Sequence, residues 1–252
     1  MKPLEVHHLN KTYFNAGIEQ RVVRDVSFAL EQGEFLGLVG ESGCGKSTIA
    51  KLLVGLTDAD SGTILLDGQK LTYPYSRDIY KKIQMVFQMP RESFNPRRSI
   101  GKCLKSVLIN FGVAGSETAI RSEELLRRVG LDGSYLNKLP GEMSGGECQR
   151  AAIARALAAN PQILICDEIT SALDVSVQAQ IIDLLLSLKE EGKITMLFIS
   201  HDLALVQGIC DNILVMRDGQ IVERGTSRKV LKTPQSEYTR LLIDSVFEVE
   251  QG

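Results

Sequence analysis

The stretch Gly40-Glu41-Ser42-Gly43-Cys44-Gly45-Lys46-Ser47 has the spacing G-x-x-x-x-G-K-[ST], with Thr48 next in line. Residues of these types in this order bind phosphate. Glycines at positions 40, 43 and 45 let the main chain curl until its N–H groups, those of Ser42 and Cys44 included, converge on one anion. A helix opening at Ser47 adds the partial positive charge of its N-terminus at the same point. Lys46 would span the β- and γ-phosphates of a bound nucleotide, and the Ser47 hydroxyl would sit on Mg²⁺. Further along, Ile163-Leu164-Ile165-Cys166 runs into Asp167-Glu168, an apolar segment ending in two carboxylates. Paired with the phosphate loop, these acids supply what phosphoryl transfer needs: Asp167 to hold Mg²⁺ through water, Glu168 to orient and polarise the attacking water. Converging N–H groups around Cys44 would lower its thiol pKa and make it reactive toward alkylating agents. The same position equally suits a small residue that simply fits the loop.

These groups need a scaffold that delivers them to one edge. Short apolar runs bounded by Gly, Asp or Pro alternate with longer helical patterns, which is how parallel strands joined by crossover helices are written. Glu34 to Val39, Ile163 to Cys166 and Thr195 to Ile199 are expected to be buried strands, and the carboxyl ends of such strands face ligands. After Ser176, residues Val177, Ile181, Leu184, Leu185 and Leu188 fall on one face of a helix. The first thirty residues, with Leu4, Val6 and Leu9 and then Val23, Val26 and Phe28, suggest an antiparallel strand pair. In that pair His7 and His8 would point to opposite faces, which argues against a shared metal. From Met89 to Asn160 the pattern is helical, over Ile100 to Asn110, Thr118 to Val129 and Gly145 to Ala159.

Composition narrows the function classes. Of 252 residues, 29 are basic and 31 acidic, so no global field favours nucleic acid or anionic lipid. The five cysteines stand singly without a CxxC pair or an even framework, which fits a reducing cytosol. The N-terminal sequence lacks a signal peptide's apolar stretch, and no run approaches the roughly 20 apolar residues of a membrane-spanning helix. If the protein serves a membrane, another chain is expected to do the spanning.

Between the phosphate loop and the acidic strand lies Met143-Ser144-Gly145-Gly146-Glu147, at the start of a helix that ends before Pro161. A hydroxyl, two glycines and free N–H groups at a helix start form a second anion site. Ser-Gly-Gly alone is more often an ordinary cap; its place between the two other motifs is what makes it informative. With these residues the chain resembles the ABC transporter ATPase family, whose signature is Leu-Ser-Gly-Gly-Gln, and the resemblance covers nearly the whole chain. Met143 stands for the usual leucine, a change of similar volume. Glu147 stands for the usual glutamine and brings a negative charge near bound phosphates, and Ile169 stands where many members have proline.

The resemblance implies an α/β P-loop NTPase core of mainly parallel sheet, with an N-terminal antiparallel β subdomain and a helical insertion. It implies a single ABC ATPase domain over residues 1–252, in which 1–88 and 161–252 form the catalytic core and 89–160 a helical subdomain carrying the signature. It assigns Tyr13 to adenine stacking, Gln88 to sensing Mg²⁺ and water, Ser171-Ala172-Leu173-Asp174 to a loop crossing between two ATPase domains, and His201 to the γ-phosphate. Lys46, Gln88, Glu168 and His201 would be catalytic, and Ser47, Gln88 and Asp167 would serve the metal. ATP would be gripped by Tyr13, Gly40 and residues 42–48 of one domain and by Ser144, Gly145, Gly146 and Asp174 of another. One phosphate loop and one signature per chain therefore call for a second ATPase subunit, identical or paralogous.

The segments Gln84 to Gln88, Ser93 to Arg97 and Ser171 to Ser176 are similar to the importer branch that carries oligopeptides, dipeptides and nickel. That branch implies two permease subunits and, indirectly, an extracytoplasmic substrate-binding protein, with this chain peripheral on the cytoplasmic face of a bacterial membrane. The sequence ends at Gly252 without the longer, cysteine-bearing tail of many peptide-type members, which inclines the expectation toward nickel or metal chelates. Two rival readings are a soluble ABC ATPase acting on ribosomes or DNA and a P-loop kinase. The first usually has two ATPase units or a long coiled coil, and residues 88–144 carry no sustained heptad pattern. The second leaves the signature, Gln88 and His201 without roles.

Overall fold

Two antiparallel strands open the chain: β1 (Leu4–Asn15) and β2 (Ile18–Leu30). The computed structural model describes residues 2–15, 17–192 and 194–249. After β3 (Phe35–Val39) and α1 (Lys46–Leu53) come β4 (Ser61–Leu66) and β5 (Gln69–Lys70), which join the first pair in a sheet of order β2-β1-β4-β5. Next, α2 (Arg77–Lys82) leads into β6 (Ile83–Val86), followed by α3 (Ile100–Asn110), α4 (Thr118–Arg128) and α5 (Gly145–Leu157). The chain then alternates through β7 (Ile163–Asp167), α6 (Val175–Glu190), β8 (Thr195–Ser200), α7 (Leu203–Ile209) and β9 (Asn212–Arg217). It closes with β10 (Gln220–Thr226), α8 (Ser227–Lys232) and α9 (Glu237–Val249).

The second sheet has the order β10-β9-β3-β8-β7-β6, parallel throughout except for β10, which runs antiparallel to β9. Its central strands are buried on both faces, which is why they read as unbroken apolar runs rather than alternating ones. The two faces are nonetheless distinct. Along β7, Leu164 and Cys166 join a core with Phe35, Phe198, Ala152 of α5 and Ile181 of α6, whereas Ile163 and Ile165 join Leu36, Leu38, Ile49 of α1 and the antiparallel sheet. Period-two alternation thus welds one sheet to two layers. Each fully buried Leu, Ile or Phe in them contributes about 1.5–3 kcal/mol.

The expected strands and the three helices between β6 and β7 are present, with ends that differ by a residue or two. The difference in β1 is larger. A bulge between Val6 and Leu9 puts His8 at φ 50° and leaves both histidines exposed, so they do not alternate across the sheet. His7 lies 3.7 Å from Glu5 and His8 2.7 Å from Asp25. The His8 N–H donates to Ser27 Oγ and the His8 carbonyl accepts from Asn10 Nδ2, which explains how the extra residue is held.

Candidate nucleotide-binding and hydrolysis site

The phosphate loop turns between β3 and α1. Gly40 has φ 154°, and a Cβ there would lie 2.1 Å from the Met216 carbonyl oxygen at the end of β9, so the loop can follow this path only as glycine. Gly45 caps α1 at φ 111°. Lys46 is buried, and its Nζ donates to the carbonyls of Gly40 (2.7 Å) and Glu41 (2.8 Å). Its ammonium is thereby held inside the curl of the loop. Around it a cleft of about 200 Å³ is lined by Ser42, Gly43, Gly45, Lys46, Ser47 and Thr48 together with Val22, Gln88 and Glu168.

The acids arrive from β7, where β3 and β7 both flank β8. Asp167 is buried and accepts a hydrogen bond from Ser47 Oγ at 3.0 Å. Burial, with the Glu168 charge adding to it and Ser47 opposing it, raises the Asp167 pKa. A carboxylate held this way is stabilised by a cation, and with the Ser47 hydroxyl bonded to it and Gln88 lining the same cleft, the side chains offer hard oxygens of the kind Mg²⁺ takes. Glu168 sits at φ 48°, a left-handed conformation that costs a non-glycine residue about 1–2 kcal/mol. Its N–H donates to the Ile199 carbonyl of β8, which pins the turn. Its carboxylate then lies 3.0 Å from Gln88 Nε2, 3.8 Å from His201 Nδ1 and 3.9 Å from Lys46 Nζ.

Lys46, Ser47, Gln88, Asp167, Glu168 and His201 therefore converge on one edge of the parallel sheet. Ser171 belongs with them more closely than its place in the crossing loop suggests. Its Oγ donates to the Glu168 carbonyl and accepts from Gln88. Tyr13, in β1, is partly exposed with Lys11 Nζ 5.6 Å from its ring centre, so it is not a core tyrosine. The remaining predicted residues lie on other helix ends. Ser144 is the N-cap of α5, its Oγ accepting from the Glu147 N–H while the Glu147 carboxylate accepts from the Ser144 N–H at 2.7 Å and from the Tyr135 hydroxyl. Asp174 is the N-cap of α6, accepting from Val177 N–H and Ser176 Oγ. Those hydrogen bonds bind both caps to their own helices and not to the phosphate loop.

One expectation is corrected. Burial pushes the Cys44 thiol up, outweighing Lys46 and the surrounding N–H groups, so the loop favours the unreactive thiol over the thiolate. The β9–β10 turn behind the loop was not foreseen: the Gly219 N–H donates to the Cys44 carbonyl at 3.1 Å. Nothing in the local sequence of residues 216–219 marks that duty.

Comparison with known proteins places this geometry. The family model described as "ABC transporter" matches residues 23–171. The oligopeptide transport ATP-binding protein OppF of Haemophilus influenzae is 42% identical over 96% of this chain and 77% of its own length. The glutathione import ATP-binding protein GsiA of Pectobacterium atrosepticum is 44% identical over 92% of this chain, which corresponds to 39% of that protein. Among solved structures, the post-hydrolysis dimer of the ATP-binding cassette MJ0796 bound to ADP and phosphate superposes with a TM-score of 0.78 at 29% identity, covering 89% of this chain and 99% of that one.

Proposed function

The chain belongs to the ABC transporter family as one of its ATPases, and from that premise we propose that it drives a bacterial membrane importer from the cytoplasmic face. In this reading Lys46 leaves the carbonyls of Gly40 and Glu41 for the β- and γ-phosphates when ATP enters, and the N–H groups of residues 42–48 close around them. Tyr13 carries the adenine on its open ring face. Ser47, Asp167 and Gln88 would hold Mg²⁺, which would supply charge neutralisation at the phosphates. Glu168 takes the proton of the attacking water, with Gln88 and His201 fixing that water and the γ-phosphate. The observation that carries the reading is the meeting of Glu168 with Gln88, His201 and Lys46, brought together from the ends of four strands, β7, β6, β8 and β3.

Half of the grip is missing from one chain. Ser144, Gly145 and Gly146 at the start of α5, with Asp174 at the start of α6, are proposed to close on ATP bound by a second ATPase subunit. Among the described residues no helix is long and apolar enough to cross a membrane, so two permease subunits are proposed to span it, fed by an extracytoplasmic binding protein. Relatives named for oligopeptides and glutathione favour a peptide cargo over nickel or a metal chelate.

The test is Glu168→Gln. ATP binding should persist while hydrolysis falls by roughly 10²- to 10⁴-fold, the usual worth of a general base. Undiminished turnover would remove Glu168 from that role, and transfer of the γ-phosphate to a metabolite in place of water would replace the motor with a kinase.

A further inference from the structure

The C-terminal helix reaches the phosphate loop. Tyr238, in the first turn of α9, is buried, and its hydroxyl oxygen accepts a hydrogen bond from the Glu41 N–H at 3.1 Å. The carbonyl of the same peptide unit, that of Gly40, accepts from Lys46 Nζ at 2.7 Å. One peptide plane is therefore clamped at both ends. The tyrosine ring is itself fixed, with the Arg217 guanidinium 4.9 Å from its centre, and Arg217 ends the same strand whose Met216 carbonyl meets Gly40.

The two ends of the clamp have different fates. Lys46 must release the Gly40 carbonyl to reach a phosphate, whereas nothing about phosphate arrival displaces Tyr238. With Lys46 gone, the hydroxyl of Tyr238 is the side-chain contact that keeps the Gly40–Glu41 peptide from rotating. That rotation would turn a carbonyl oxygen toward the anion and oppose the N–H groups that should face it. We propose that Tyr238 is a positioning residue for nucleotide binding, holding the Gly40–Glu41 peptide from α9 so that the loop presents donors to the triphosphate. The proposal rests on the reading of that loop as the ATP site. It makes the C-terminal helix a part of the nucleotide pocket, although α9 contributes no group to the phosphates.

The experiment compares the full wild-type chain with Tyr238→Phe and Ile243→Ala. The phenylalanine keeps the ring and its Arg217 contact and removes only the acceptor. Ile243, buried on the same helix, loses packing and leaves the hydrogen bond in place. Binding of a fluorescent ATP analogue, thermal unfolding and hydrogen exchange at the Glu41 amide are measured for each. Tyr238→Phe should weaken nucleotide binding about three- to tenfold, the range one lost hydrogen bond spans. It should also speed exchange at Glu41 and leave the melting temperature nearly unchanged. Ile243→Ala should lower the melting temperature with affinity held within about twofold. Unchanged affinity in Tyr238→Phe, or an equal loss in Ile243→Ala, overturns the positioning role while leaving the ATP site intact. Failure of the wild-type chain to bind the analogue overturns both.

Discussion

Glu147 brings a full negative charge to the start of α5, where the reading above has a partner's γ-phosphate arrive. Its carboxylate is folded back on the helix end, accepting from the Tyr135 hydroxyl and the Ser144 N–H, and those two bonds hold its pKa below the ordinary carboxylate value. The group is therefore ionised at neutral pH. The sign of its linkage follows: this cap stabilises fully above the unfolded carboxyl's pKa and weakens as pH falls through the lowered, folded one. Glu147→Gln keeps an acceptor for the Ser144 N–H and removes the charge. Pairing driven by ATP should then need about two- to fivefold less nucleotide, the worth of one charge at a helix terminus. A titration of ATP against dimer formation checks it; an identical midpoint would mean that the charge is not felt across the interface.

At the scale of elements, the signature glycines have a packing duty besides any contact with phosphate. A Cβ on Gly146 would stand 2.1 Å from Val177 Cγ1 of α6, closer than side chains tolerate. Gly146→Ala should therefore cost about 1–3 kcal/mol through overpacking between α5 and α6. Adding Val177→Ala should recover much of it, since the two residues share one contact. Thermal unfolding of the two singles and the double measures the coupling, and simple additivity would show that the helices can shift apart freely. The same packing explains what the sequence made legible. Glycines spaced around Lys46, acids ending an apolar run and apolar residues at helical intervals after Ser176 are local patterns, and each sits on the predicted element. The clamp on the phosphate loop was not legible, because Gly40 meets Met216, Cys44 meets Gly219 and Glu41 meets Tyr238 across most of the chain length. The bulge at His8 was missed for a related reason. Its hydrogen bonds come from Ser27 and Asn10, not from an alternation visible along β1.

At the scale of the whole molecule, the sheet gathers one half of the proposed nucleotide grip, and the proposed other half lies elsewhere, at the starts of α5 and α6. Ser144 and Asp174 use their side chains to cap α5 and α6, and the helix ends they shape are the ones proposed to face a second molecule. Glu168 and the five residues gathered with it lie within one chain, so in the proposed function a single copy would bind ATP and catalysis would await closure. That division is what the proposed cycle would use: ATP binding would join two ATPase domains, and hydrolysis would release them. The most direct measurement is sedimentation of the Glu168→Gln chain with its partner ATPase subunit, or with itself if none exists, in ATP with Mg²⁺ and in ADP. The account predicts a stable pair in ATP, none in ADP, and loss of the ATP-dependent pair when Lys46 is replaced by alanine. ATP that binds with Mg²⁺ yet never joins two such domains would contradict it.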